Sequence, residues 1–106
     1  MSRLAVVLPL RPGGREAARL LIEAGPPFEL RGTPFERHVV FLSDFEVVFV
    51  FDGPDVREAI EDLVGDSEVW QAASAWRAIA DGRPRIAEAA FEWDRPPPLP
   101  LHVPGF

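Results

Sequence analysis

The chain has 106 residues, 47% hydrophobic and 26% charged, with a net charge of −6. That length fits one domain, and the apolar content excludes a chain disordered throughout, because it can offset chain entropy. The absence of cysteine excludes a disulfide framework, a thiolate metal site and a cysteine nucleophile, while the eleven scattered arginines (there is no lysine) lack the basic stripe of a nucleic-acid binder.

No basic N-terminal segment precedes a long apolar run, and no apolar run nears the ~20 residues of a spanning helix. The expectation is a protein with no signal peptide and no membrane partner, located in the cytoplasm. Leu4 to Leu8, LAVVL, reads as a strand that is apolar on both faces. Pro9 and Pro12-Gly13-Gly14 end it. From Arg15 to Ala24, residues Ala17, Leu20, Leu21 and Ala24 make a helical stripe widened by Ile22. Gly25 and Pro26-Pro27 stop that helix. Residues 26–35, PPFELRGTPF, read as a connector.

A hairpin follows, Glu36 to Leu42 and Phe45 to Phe51, with Ser43-Asp44 as its turn. A two-residue loop would set Leu42 opposite Phe45, Val40 opposite Val47 and His38 opposite Phe49. One face then carries His38, Val40, Leu42, Phe45, Val47, Phe49 and Phe51. The other carries Arg37, Val39, Phe41, Glu46, Val48 and Val50. A three-residue loop would scramble the assignment.

Asp52-Gly53-Pro54 reads as the start of a second helix carrying Val56, Ala59, Ile60, Leu63 and Val64. Gly65 breaks it. Asp66 or Ser67 caps a further helical piece, in which Val69, Ala72, Ala73, Trp76 and Ala80 share a face. Ile86 to Trp93, IAEAAFEW, is short and bounded by prolines and reads as a last strand. The tail, DRPPPLPLHVPGF, is too proline-rich for a helix and is extended, either packed through its apolar residues or frayed. The division is a ferredoxin-like α+β domain over residues 1–94 and a Pro-rich tail over 95–106.

The order strand, helix, strand, strand, split helix, strand is the βαββαβ pattern of a ferredoxin-like four-stranded antiparallel sheet, with helices on one face. The other face is also apolar. At ~25 cal/mol per Å², leaving it wet would forfeit several kcal/mol and expose a patch that monomers rarely carry. A second copy of the same face would cover it, which predicts a homodimer through the sheet.

With these elements in place, the chain resembles the dimeric α+β barrel superfamily. That group includes antibiotic-biosynthesis-type monooxygenases and stress-responsive A/B-barrel proteins. The resemblance rests on LAVVL, PGGREAARLLIEAG, VVFLSDFEVVFVFDGPD, SEVWQAASAW and IAEAAFEW, and covers about residues 4–93. It implies a dimeric barrel with a cleft between sheet and helices that holds a small organic molecule. The chain has no Asn, Tyr or Lys, so it matches poorly the oxygenase members that use a pocket Asn or Tyr.

His38, the one histidine within the domain, is the candidate acid/base, because imidazole titrates near neutrality. It shares a predicted face with Glu36; the bland alternative is a strand-end side chain. Glu46 is a second candidate acid/base if buried, or a solvated residue beside the turn. Trp70, Phe41 and Phe49 are the candidate walls of a pocket for a small aromatic or polyketide-like ligand. His38 and His102 stand far apart and no HxH or HxxxH spacing exists, so no metal site and no cofactor is expected. The alternative function is a non-catalytic stress-associated or interaction dimer whose cleft is packed by its own side chains.

Overall fold

A computed structural model of the chain describes residues 2–98. The expectation of a packed or frayed tail end, with Leu99, Leu101, His102, Val103 and Phe106, lies outside the described residues. The elements are β1 (Ser2–Pro9), α1 (Arg15–Ala24), a short 3₁₀ turn (Leu30–Gly32), β2 (Arg37–Leu42), β3 (Glu46–Gly53), α2 (Val56–Gly65), α3 (Ser67–Ala72), α4 (Ser74–Ile79) and β4 (Arg85–Glu88). The sheet runs β2-β3-β1-β4 and all three pairings are antiparallel. The two most apolar strands, β1 and β3, are central, as strands buried on both sides should be. This α+β arrangement is compatible with a ferredoxin-like fold. Among the described residues no helix is long and apolar enough to cross a membrane.

Register decides what each face carries. Leu4, Val6 and Leu8 stand opposite Phe51, Phe49 and Val47, and those in turn stand opposite His38, Val40 and Leu42. Partners share a face, so this is the side packed under the helices. The reverse face carries Ala5, Val7, Val39, Phe41, Val48 and Val50, with Arg3, Arg37 and Asp52 at one end. Among the described residues no helix lies on it.

The hairpin corrects one expectation. Leu42 pairs with Val47, not Phe45, and Val40 pairs with Phe49. A two-residue turn of the favoured types needs positive φ, and neither Ser43 nor Asp44 adopts it. Instead the Ser43 hydroxyl accepts from the Phe45 and Glu46 amides at 3.2 and 3.0 Å, and Ser43 N–H donates to the Glu46 carbonyl at 2.9 Å. That longer turn satisfies the amides with side-chain chemistry. The slip is two residues, so the face assignment survives, and only Phe45 leaves the strand, 78% exposed.

Helix α1 has the expected bounds but a different buried side. Ala18 is fully buried while Leu20 is exposed. A Cβ on Gly14 would sit 3.0 Å from the Arg11 carbonyl and 3.6 Å from that of Ile79 at the end of α4. Gly14 and Ala18, four apart, therefore bring the helix close to its neighbours, and this small-residue edge outweighs the leucine stripe. Strand β3 runs on through Asp52 and Gly53 rather than ceding them to a helix start; Asp52 pairs across to Arg3 and Arg37. Pro54 and Asp55 make the turn, with Asp55 at φ 51°, and α2 begins at Val56. The second helical region is split, as expected. Asp66 caps α3 by accepting from the Glu68 amide at 2.8 Å, and a further break falls at Ala73.

The last strand is shorter than Ile86 to Trp93. It ends at Glu88, opposite Leu4, where little of β1 remains to pair with. Residues 89–98 have no regular structure and are exposed, Phe91 and Trp93 conspicuously so.

The core has two parts. Leu4, Phe51, Val56 and Ile60 form one, packed by Phe28 and Phe35 from the connector. Leu10, Ala18 and Val47 form the other, packed by Ile22, Trp76 and Ile79. Phe49 touches both. Ile60, 1% exposed, contributes about 2–3 kcal/mol by burial alone.

Candidate functional site

Between the two core clusters the sheet and helices enclose a hollow of about 340 Å³. Its floor is Val6, Leu8, Phe49 and Phe51 of the sheet; its walls come from α2 (Leu63, Val64), α3 (Val69, Trp70), Ala73 and Trp76. The helical breaks at Asp66 and Ala73 leave α3 and α4 as short segments, and both contribute to the lining. The Trp70 indole N–H donates to the Val64 carbonyl, one of the unpaired carbonyls at the end of α2. This bond sets the ring upright as a wall. Trp76 meets Phe49 edge-on at 5.3 Å between centroids.

The candidate residues distribute as follows. Phe49 and Trp70 line the hollow. Phe41 lies on the opposite face of the sheet and is 58% exposed. Glu46 shares that reverse face, opposite Pro9. His38 is on the helix side but not in the lining. Its ring stacks on Phe51 at 4.4 Å and on Phe49 at 6.4 Å, so it stands behind two floor residues. Nδ1 lies 3.0 Å from the Val50 carbonyl oxygen. A carbonyl only accepts, so Nδ1 carries the proton and Nε2 the lone pair. Burial pushes the imidazole below its ordinary pKa, against the opposing effect of the Val50 bond. The ring is therefore neutral at pH 7. Among the described residues no three His, Asp or Glu side chains converge as a metal would require.

Three contributors escaped the sequence reading. Arg77 and Arg83 stand at the rim of the hollow. Arg77 follows Trp70 by two helical turns, so the spacing was visible; Arg83 is in a loop and carries no such signal. The third is Asp52, on the reverse face, only 3% exposed. It accepts two bonds from the Arg3 guanidinium, at 2.6 and 3.0 Å. Those bonds hold its carboxyl below the usual carboxylate range, with Arg37 assisting, although burial acts the other way. A carboxylate depressed in the folded state contributes stability that is complete above its unfolded pKa and is lost as pH falls through the folded one. The loss belongs below about pH 4. Between pH 6 and pH 3 the wild type is expected to lose more stability than Asp52→Asn, measured by urea midpoints. Parallel losses would show that the Arg3 contact contributes nothing in solution.

No protein-family model, no curated protein and no solved structure matches the chain.

Proposed function

We propose that the chain is the protomer of a homodimeric α+β protein, paired through its bare sheet faces in the manner of the dimeric α+β barrels, that binds a small apolar molecule between sheet and helices. The observation that carries this reading is the 340 Å³ hollow, which falls within the size range of small-ligand sites and is walled by aromatic and aliphatic side chains. An open volume there favours ligand binding over an interaction dimer with a packed cleft. The molecule would be held without a metal or organic cofactor. His38, one ring removed from the hollow, would reach a bound molecule only if the Phe49 and Phe51 rings move aside. Pairing of the reverse faces would bury Ala5, Val7, Val39, Val48 and Val50 of each copy, which is the economical fate of such a surface.

The test is calorimetric titration with 2-naphthalenemethanol, a neutral aromatic probe. Ala73 lines the hollow, and its backbone accepts any ordinary residue. Ala73→Phe is expected to fill the space and weaken binding at least about tenfold while circular dichroism stays unchanged; a tenfold loss corresponds to about 1.4 kcal/mol. Undiminished binding by the folded variant would place the probe elsewhere.

A further inference from the structure

The ligand-binding reading leaves the class of molecule open, and the rim of the hollow narrows it. We infer that the hollow takes a small monocarboxylic acid with an apolar body, its carboxylate held by Arg77 and Arg83. This rests on the ligand-binding reading above and goes one step further.

Three observations carry it. The interior of the hollow is apolar, yet its rim holds two guanidinium groups from separate segments, Arg77 on α4 and Arg83 in the loop before β4. Neither group is used internally. The ion pairs among the described residues engage Arg3, Arg15, Arg19 and Arg57, and no described side chain or carbonyl accepts from Arg77 or Arg83. Seven of the eleven arginines stand outside the ion pairs among the described residues, so what marks this pair is its place at the mouth of an apolar hollow. Finally, Arg77 is held in place, its guanidinium carbon 5.5 Å from the centroid of the Trp70 ring. Stacking on the indole restrains the side chain while leaving its edge N–H groups free. An arginine fork matches a carboxylate in two parallel hydrogen bonds.

A second hollow disfavours such a molecule. This hollow, between the connector and α2, is rimmed by Asp55, Glu58, Asp62 and Asp66 and repels an anion. The volume available excludes a long-chain lipid fully enclosed, and suits a fused bicyclic or branched aliphatic acid.

The experiment compares 2-naphthoic acid with 2-naphthalenemethanol, which share one ring body and differ in charge. Both are titrated into the full-length protein and into Arg77→Gln and Arg83→Gln, with circular dichroism on each variant. The acid is expected to bind the wild type about tenfold more tightly than the alcohol, the gain of a charge-assisted bidentate contact. Each substitution should reduce that preference several-fold, weakening the acid more than the alcohol, and salt should weaken the acid more than the alcohol. Equal affinities for acid and alcohol, unaffected by either substitution, would overturn the carboxylate assignment and leave the apolar hollow standing. Failure of both probes to bind would overturn the hollow as a site and the assignment with it.

Discussion

Gly53→Ala is expected to destabilise the protein by about 2–3 kcal/mol, the range of a small-to-large change that meets unyielding neighbours. The residue closes β3, and the connector crosses directly over it. A Cβ there would stand 2.9 Å from the Pro34 carbonyl oxygen, 3.3 Å from the Phe35 Cα and 3.5 Å from the Glu36 nitrogen. All three are backbone atoms, so no side-chain rotation relieves the contact. The connector would have to lift, and it carries Phe28 and Phe35 into the Leu4–Phe51–Val56–Ile60 cluster. Phe35 alone lies 4.6 Å from the Phe51 ring. The backbone at Gly53 is not in the left-handed region, so the effect is one of space. Gly65→Ala is the matched control: nothing lies within 4 Å of its added Cβ, and at the helical end of α2 its stability should hold or rise, by no more than about 1 kcal/mol. Urea denaturation of both variants decides. Equal midpoints would mean that the connector does not bear on the end of the strand.

Val48→Asp is expected to dissociate the proposed dimer, weakening association at least about 100-fold. Val48 sits mid-strand on the reverse face, opposite Val7 on one side and Phe41 on the other. Within its own protomer no arginine occupies a neighbouring register position, and an uncompensated buried charge costs about 3 kcal/mol or more. In a lone protomer the same side chain reaches water at small cost. Sedimentation velocity over a range of concentrations reads the difference. Leu20→Asp, on the exposed side of α1, should leave association untouched. A wild type that sediments as a monomer removes the face-to-face pairing; a Val48→Asp variant as dimeric as the wild type puts the interface elsewhere.

Much of the architecture was legible because it follows from alternation and punctuation. Strands apolar on both faces belong at the centre of a sheet, and LAVVL and FEVVFVF are there. Glycine and proline ended α1 where expected. The misreadings share a cause: small or polar residues settled what apolar ones suggested. The Ser43 hydroxyl lengthened the turn, Gly14 and Ala18 rotated α1 so that Leu20 faces water, and Asp52 stayed in the sheet because two arginines flank it. The floor of the hollow was half visible, through Phe49 and Trp70. Its rim was less so: the spacing of Arg77 from Trp70 is in the sequence, but an arginine reads as surface until the fold brings it to the edge of a hollow, and Arg83 in its loop carries no signal. His38 illustrates the converse. Its residue type marked it as chemistry, while its stacking on Phe49 and Phe51 gives it a packing role as well.

The central position of β1 governs how the protein is made. It is made before the other three strands of the sheet, yet both strands that pair with it come later, β3 from residue 46 and β4 not until residue 85. Until then an apolar strand has only the chaperones or a foreign edge for company. The hairpin of β2 and β3 closes locally and in microseconds. Docking β1 against it closes a loop that spans α1 and the connector, which is the slow, entropy-limited step for a sheet of this order. The hairpin is therefore the template, and the N-terminal strand completes the sheet's centre only after that template exists.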